Sequence, residues 1–233
     1  MTTQSQIRTL VLLTMVVSVA PAAPAQSSQN VPRLSVDGLV LRNVKAEAVT
    51  YKGRSAVRLS DAAAPESNDA ERWALVRGTS LADGTIEVDL TGDTLPTANP
   101  TARGFVGISF RVAGDGSHFE CFYLRPKNGR AQDQLRRNHS TQYISFPGFP
   151  WDKLRAETPG KYESYVDLVP GEWTKVRITV SGDKAQLYVN GAPQPVLIVN
   201  DLKQPPSAGA IALWVGSGTV AHFADLKVSP QVK

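Results

Sequence analysis

The stretch Gly104-Phe-Val-Gly-Ile-Ser-Phe-Arg-Val112 decides how the rest of the chain is interpreted. Val106, Ile108 and Phe110 lie on one side of it and small or polar residues on the other, and this period of two is typical of a β-strand with one face in a core. A Gly-Asp-Gly turn then leads into a second strand over residues 118–125. We therefore expect an antiparallel pair, and the small residues predict a sheet face open enough to admit a ligand.

Short runs of the same kind recur along the chain from Leu34 onward. Tyr51-Lys-Gly-Arg54 and Asn190-Gly191 separate such runs, and both are hairpin signals. No window repeats apolar residues at i, i+3, i+4 and i+7 over three turns, as a long amphipathic helix requires. About a dozen short strands predict an all-β sandwich or barrel. The further runs are 44–49, 56–59, 73–76, 85–90, 173–180, 184–189, 196–199, 208–215 and 220–228.

The beginning of the chain has the pattern of a cleaved export signal. Arg8 precedes an apolar run over 10–20, and Ala23-Pro-Ala25 offers small residues for cleavage. The run is short for a membrane span, although an uncleaved anchor is the alternative. We expect a signal peptide over 1–25, a polar linker over 26–33 and one domain over 34–233, in a secreted or periplasmic protein with no membrane contact after cleavage.

Composition narrows the classes of function. The 233 residues include 25 Lys and Arg against 21 Asp and Glu, a formal net charge of +4. The positive residues form no helical stripe, so we expect no nucleic-acid partner. One cysteine, Cys121, excludes a disulfide framework and a multi-cysteine metal centre. We predict no metal site among the chemistry-bearing residues and no cofactor.

One segment interrupts the succession of short strands. Residues 126–171 contain candidate strands only at 142–145 and 162–168, and connections of this length are usually functional or disordered. The segment holds six aromatic residues, whereas disordered segments are poor in them. We therefore expect an ordered excursion from the sandwich, with the candidate site on it.

Four segments of the C-terminal third carry a family resemblance through their order. They are Gly171-Glu-Trp173, Leu187-Tyr-Val-Asn-Gly191, Gly209-Ala-Ile-Ala-Leu-Trp214 and Phe223-Ala-Asp-Leu-Lys-Val228. This succession resembles the concanavalin A-like lectin/glucanase jelly rolls, and most nearly the laminin-G-like bacterial domains and the 3-keto-disaccharide hydrolase-like domain family. The resemblance covers most of residues 40–230 and implies a jelly-roll β-sandwich of two antiparallel sheets whose concave face binds sugar.

The resemblance implies less about activity, because this sandwich hosts lectins, glycosidases, lyases and adhesion modules. Glu87-Val-Asp89 is similar to the start of the glucanase motif Glu-x-Asp-x-Glu, but Thr91 stands where the third acidic residue belongs. Hydrolysis with retention needs both a nucleophile and a separate acid, so we do not expect a glucanase. Asp37 and Asp225 are candidates for a structural calcium of the kind found in this superfamily.

Polar and aromatic residues of strands 104–112 and 118–125 and of the long segment are the candidates for substrate binding. Planar donors bind hydroxyl pairs and rings stack on sugar faces, while an excess of arginine also suits a uronate or a sulfate. The residues are Arg111, Tyr123, Arg125, Arg130, Gln134, Arg137, Asn138 and Trp151. Two alternatives remain open: a salt-bridged network of Asp133 with Arg136 or Arg137 that only orders the segment, and a lid role for Trp151.

Three residues are candidates for catalysis. His139 and Tyr143 suit the acid/base pair of a polysaccharide lyase, and Glu120 is a nearby carboxylate. His222, in an apolar strand, is expected to be structural. The sequence leaves three functions open: an exported carbohydrate-binding protein, a glycoside hydrolase or polysaccharide lyase, and a laminin-G-like adhesion module that binds protein. We favour a carbohydrate, neutral or anionic, at the concave face and the 126–165 loop; the oligomeric state is not predicted.

Overall fold

The computed structural model describes residues 33–62 and 71–231. The expected signal peptide and all but the last residue of the expected linker lie outside these ranges. Within them, no helix has both the length and the apolar character needed to cross a membrane.

Fourteen strands and two short helices account for most of the described chain. The strands are β1 (Leu39–Arg42), β2 (Val44–Tyr51), β3 (Arg54–Asp61), β4 (Trp73–Leu81), β5 (Gly84–Thr94), β6 (Val106–Val112), β7 (Phe119–Leu124), β8 (Thr141–Phe146), β9 (Glu163–Ser164), β10 (Thr174–Ser181), β11 (Lys184–Val189), β12 (Leu197–Val199), β13 (Gly209–Val215) and β14 (Thr219–Pro230). The helices are α1 (Gln134–Asn138) and α2 (Trp151–Glu157).

The strands form two seven-stranded antiparallel sheets. The front sheet has the order β1-β4-β13-β6-β7-β8-β9, and the back sheet has the order β12-β11-β10-β5-β14-β3-β2. The predicted all-β sandwich of two antiparallel sheets is therefore confirmed. Strand β1 is the one strand of the sandwich that the sequence did not indicate, because its residues Leu39, Val40 and Leu41 are all apolar and show no alternation.

Alternation along the strands places the main core between the sheets. Ile108 and Phe110 of β6 are buried in the same cluster as Ile86, Val88 and Leu90 of β5 in the back sheet. A second apolar cluster lies on the other face of the front sheet and includes Tyr123 and Trp214. The front sheet is thus apolar on both faces, which is unusual for a sheet with one face turned away from the core.

The hairpin signals fold as expected. Tyr51 pairs directly with Arg54, and Lys52 and Gly53 between them have φ of 47° and 75°. Positive φ at both central residues is the geometry of a tight two-residue hairpin, which glycine adopts without strain.

The long segment is an ordered extension of the front sheet. After β7 it forms a short 3₁₀ turn at Pro126–Asn128, then α1, β8, α2 and β9. Strand β8 pairs with β7, and β9 pairs with β8, so the excursion adds two strands to the sheet edge. Its two helices cover one end of the outer face of the front sheet, which is the face turned away from the back sheet.

Candidate functional site

A lateral row of residues crosses five strands on the outer face of the front sheet. Trp214 lies opposite Gly107, which lies opposite Tyr123; Tyr123 in turn faces Gln142, and Gln142 faces Glu163. Directly opposed residues project from the same face of a sheet. The row therefore passes from an aromatic end at β13 to a carboxylate at the β9 edge.

Gly107 allows the aromatic end of this row to form. A Cβ atom at this position would lie 2.2 Å from the carbonyl oxygen of Phe122 and 2.5 Å from the Cβ of Tyr123. With no side chain between them, the rings of Tyr123 and Trp214 approach to 4.7 Å between centroids. Phe105 meets Tyr123 edge-on at 6.0 Å. The result is a continuous aromatic floor beneath the sheet surface, in which Tyr123 and Trp214 are each 3% exposed and Phe105 is half-buried.

A groove of about 810 Å³ lies over this floor. Trp151 on α2 forms one wall, and its side chain is among the most exposed large hydrophobic groups, at 44%. The polar residues that line the groove are Thr101, Arg103, Arg125, Asn128, Arg136, His139, Ser145, Asp152 and Arg155. Aromatic surfaces and guanidinium groups thus share one cavity that is open to solvent.

Glu163 holds the charged side of the groove together. Its carboxylate accepts from Arg125 Nη1 at 3.0 Å and from Arg155 Nε at 2.9 Å, and His139 Nε2 lies 3.4 Å away. The side chain of Glu163 is 2% exposed, and that of Arg125 is 5% exposed. Burial favours the neutral acid, but the hydrogen bond from Arg155 and the charges of Arg125 and Arg155 outweigh it and lower the pKa of Glu163. The carboxylate is therefore ionised.

Arg125 connects this carboxylate to the floor of the groove. Its Nη2 donates to Tyr123 Oη at 3.0 Å and to Gln142 Oε1 at 2.9 Å, and its Nη1 also donates to the carbonyl of His139 at 3.0 Å. Planar guanidinium donors in a fixed fork hold such a network rigidly. Tyr123 and Arg125, two of the residues predicted to bind substrate, both line the groove.

Trp151 stands beside two guanidinium groups. Arg155 lies 4.6 Å from the ring centroid and Arg125 lies 5.9 Å from it. Arg155 follows Trp151 by four residues in α2, so the two share a helix face. Trp151 therefore forms an exposed wall and is not folded down onto the core, as the lid alternative required.

His139 lines the groove as a neutral imidazole. Burial lowers its pKa; the charge of Glu163 opposes this effect, and the charges of Arg155 and Arg125 add to it. At neutral pH the ring therefore carries an unprotonated nitrogen, as a general base requires.

Glu120 and Tyr143, the other two catalytic candidates, lie behind the sheet. Both are fully buried on the inner face, where Tyr143 Oη donates to Glu120 Oε2 at 2.6 Å. Lys203 N donates to Tyr143 Oη at 3.0 Å, and Gln204 N donates to Glu120 Oε1 at 2.8 Å. The pair thus anchors a loop, and the structure does not bring it to the groove with His139.

Arg111 also lies outside the groove, which corrects its predicted position. Its guanidinium is fully buried and donates to the carbonyls of Ala82 at 2.9 Å and Gly182 at 2.8 Å, with Asp83 at 3.2 Å. Arg111 therefore joins the β4–β5 turn to the β10–β11 turn. A buried strand arginine whose Nε and Nη2 donate to two turns is a structural residue.

Four further substrate-binding candidates lie on the outside of the excursion and do not line the groove. Arg130 pairs with Asp167 at 2.7 and 2.8 Å, and Arg137 donates to Tyr165 Oη at 3.0 Å. Gln134 donates to Asn138 at 2.7 Å within α1. Polar contacts of this kind order the segment. The contact of Asp133 differs from the salt bridge considered above, because its carboxylate accepts a hydrogen bond from the backbone N–H of Arg136 and caps α1. The charged groove residues that sequence reasoning did not select are Arg103, Asp152 and Arg155.

The acidic residues considered for other chemistry lie apart from the groove. Glu87 and Asp89 face outward on the back sheet, where Asp89 and Asp225 both contact Arg54, at 2.5 and 2.6 Å. In the described ranges no three His, Cys, Asp or Glu side chains converge as metal ligands. The calcium near Asp37 and Asp225 stays a prediction.

His222 has the surroundings of a structural residue. Its ring stacks on Tyr51 at 3.7 Å between centroids, and its Nδ1 lies 3.0 Å from Thr91 Oγ1. Burial, with a smaller effect from the charge of Arg58, lowers the pKa of His222 to about 4.

No family model and no curated protein matches the sequence. Among solved structures, the carbohydrate-binding module CBM66 from Bacillus subtilis superimposes with a TM-score of 0.56 at 16% identity, covering 82% of this chain and 96% of that one. A Bacillus subtilis protein of unknown function with a galectin-like fold gives 0.56 at 13% identity, covering 90% and 100%. A native glycosidic hydrolase gives 0.51 at 12% identity, covering 90% and 97%. The chain therefore has the concanavalin A-like lectin/glucanase jelly-roll fold that its C-terminal segments resemble, while the laminin-G-like likeness stays a prediction.

Proposed function

We propose that this chain is an exported carbohydrate-binding protein whose glycan lies in the groove on the front sheet. The observation that carries the proposal is the exposed ring of Trp151 beside guanidinium groups that are already fixed in place, in a groove above the Tyr123–Trp214 floor. Aromatic faces stack on sugar rings, and planar donors bind pairs of hydroxyls. The fold shared with a carbohydrate-binding module supports this proposal. Export rests on the pattern of residues 1–25.

Binding without hydrolysis follows from the carboxylates available. Glycoside hydrolases place two carboxyl groups on either side of the scissile bond, one of them protonated. Asp152 is the single carboxylate among the described residues that line the groove. Glu163 borders it but is ionised and bonded to two arginines, so it does not supply the proton.

A polysaccharide lyase is the second candidate, and His139 is the observation that favours it. A neutral imidazole that lines a groove next to Arg125 fits a base that removes a proton beside a sugar carboxylate. Tyr143 does not complete this pair, because it lies on the inner face of the sheet. A lyase would be revealed by release of unsaturated products, and that release would disappear in His139→Ala.

The test of the binding proposal is a glycan array followed by calorimetric titration of each hit with the mature exported protein. Trp151→Ala removes an exposed wall of the groove without opening the core, and we expect it to weaken binding about tenfold or more. Tyr188→Ala is the matched control, because Tyr188 is a half-buried aromatic on the back sheet that stacks with Arg177 at 3.8 Å. Equal losses of glycan affinity in Trp151→Ala and Tyr188→Ala would contradict the proposal that the glycan binds in the groove. Silence across the array favours the protein-binding adhesion module.

A further inference from the structure

A second depression adjoins the groove at the beginning of β6. It has a volume of about 520 Å³ and lies between the loop 94–103 and the start of the excursion. We call it the basic pocket, and its lining residues are Thr94, Leu95, Pro96, Ala98, Asn99, Pro100, Ala102, Arg103, Lys127 and Arg136. Arg103 and Arg136 line both this pocket and the groove. A ligand that extends along the groove therefore passes directly into the basic pocket.

The basic pocket has three cationic residues and, within the part of the chain that the structure describes, no carboxylate in its lining. Arg103 Nη1 donates to the carbonyls of Pro100 at 2.6 Å and Ala102 at 2.8 Å, which fixes the guanidinium within its own loop. Burial lowers the pKa of Arg103, and the nearby positive charge of Arg136 lowers it further. Two cations thus converge at the boundary between pocket and groove, where an anion would relieve their repulsion.

The other two cations are equally available to a ligand. The side chain of Arg136 makes no hydrogen bond or ion pair with any residue in 33–62 or 71–231. Its one electrostatic effect described above is the repulsion between it and Arg103. Lys127 Nζ donates to Thr94 Oγ1 and lies 3.9 Å from Asp93 Oδ1. Asp93 is well exposed and lies outside the pocket lining. Its contact with Lys127 is long and solvated, and such surface pairs hold their partners weakly.

The remaining arginines of the excursion show why these cations stand out. Arg130 pairs with Asp167, while Arg125 and Arg155 pair with Glu163. Arg137 stacks on Tyr165 at 5.1 Å. Each of these guanidinium groups is therefore neutralised or covered by a partner from the same chain. In the basic pocket, by contrast, Arg103 and Arg136 have no carboxylate partner among the described residues, and Lys127 has only its 3.9 Å contact with Asp93.

We propose that the basic pocket binds an oxoanion substituent, a sulfate ester or a carboxylate, of a glycan whose neighbouring ring lies on the aromatic floor. Arginine forks match the planar geometry of a carboxylate and the oxygen edge of a sulfate, and charge-assisted hydrogen bonds of this kind are the strong ones. This inference rests on the proposed function, and it names the ligand class as anionic glycans. Sulfated glycans and uronate glycans both carry such an oxoanion, and the experiment below tests the two classes separately.

The experiment scores the glycan array in two arms, sulfated glycans and uronate glycans, each against the neutral glycan of the same backbone. Titrations of the strongest pair then compare the parent protein with Arg136→Gln and with the double variant Lys127→Gln/Arg136→Gln. Both side chains are exposed, so neither change opens the core. Arg130→Gln is the matched control, since it removes the same charge from the same excursion outside the pocket.

We expect the double variant to lose about tenfold or more in affinity for the anionic glycan, while affinity for the neutral counterpart is unchanged. Arg130→Gln should leave both affinities within about twofold of the parent. Equal binding of charged and neutral glycans by the parent protein overturns the inference but leaves the groove standing, provided that Trp151→Ala still weakens binding. If Arg130→Gln loses as much affinity for the anionic glycan as the double variant does, the inference is also overturned. The loss would then come from the lower overall positive charge of the protein and not from the basic pocket. Failure of every glycan overturns the proposed function and this inference together.

Discussion

Replacing Glu163 with Gln tests whether a buried ion pair holds the excursion against the front sheet. The substitution keeps the size of the side chain and one oxygen acceptor, and it removes the charge that faces Arg125. The Arg125 side chain is 5% exposed and would keep its positive charge with only neutral oxygens as partners, those of His139, Tyr123 and Gln142 and the amide oxygen at position 163. Uncompensated buried charge is among the most destabilising changes a single substitution makes.

The expected loss follows from that geometry. Breaking a buried pair by removing one partner costs about 3–5 kcal/mol. Arg155 is partly exposed and regains water when its carboxylate partner is lost, so we expect the lower end, about 3 kcal/mol. For a domain of this size that corresponds to a fall in Tm of about 6–12 °C. Asp167→Asn is the control: Arg130 and Asp167 are 65% and 54% exposed, and we expect about 0.5 kcal/mol or less.

Urea unfolding followed by tryptophan fluorescence measures these losses, and repeating it in acid tests their cause. The pKa of Glu163 is lowered from 4.5 by folding, so its contribution to stability is complete above that value and disappears as pH falls through the folded pKa. The gap between the parent and Glu163→Gln should therefore close in acid. A loss under about 1 kcal/mol at neutral pH, or a gap that persists in acid, would refute the reasoning.

Three further substitutions test other parts of the structure. Gly107→Ala should lower the free energy of unfolding by about 1–3 kcal/mol because its Cβ meets the neighbouring strand, whereas Gly114→Ala, with open space around it, should not; urea midpoints distinguish the two. Arg111→Met should lower stability by about 2–4 kcal/mol and leave glycan affinity unchanged in titrations, whereas weaker binding would restore its predicted role as a ligand contact. His222 has a folded pKa of about 4 against 6.5 in the unfolded chain, so the parent should lose up to about 1.4 kcal/mol per pH unit between those values as pH falls. His222→Gln should remove that slope in unfolding curves taken across the range, and an unchanged slope would assign it to another group.

The sandwich was predictable because its signals are local. Alternation along 104–112 and the tight turn at Lys52-Gly53 depend only on neighbouring residues, and the structure has both. Which of the two faces of a strand points into the core could not be predicted from neighbouring residues. Alternation alone separates Glu120 from Tyr123, but only the pairing of the front sheet with the back sheet shows that Glu120 faces inward.

The sequence indicated the part of the chain where the groove lies, but only some of the residues that line it. Tyr123, Arg125, His139 and Trp151 line the groove because they lie on the outer face or on the helices that cover it. Arg155 was missed because α2 spans two turns, too few for a helical period to appear in the sequence. Arg103 lies just before β6, and only the tertiary approach of the 94–103 loop to α1 makes it part of the site.

The bonds among Arg125, Gln142, Tyr123 and Glu163 have a consequence for the thermodynamics of recognition. These side chains are held by hydrogen bonds to one another, so a ligand does not have to immobilise them. Each rotamer-rich side chain ordered on binding would otherwise oppose association by about 0.5–1.5 kcal/mol. The unliganded groove is thus preorganised: free and bound crystal structures should superimpose here, and association should show a small entropic penalty on the protein side.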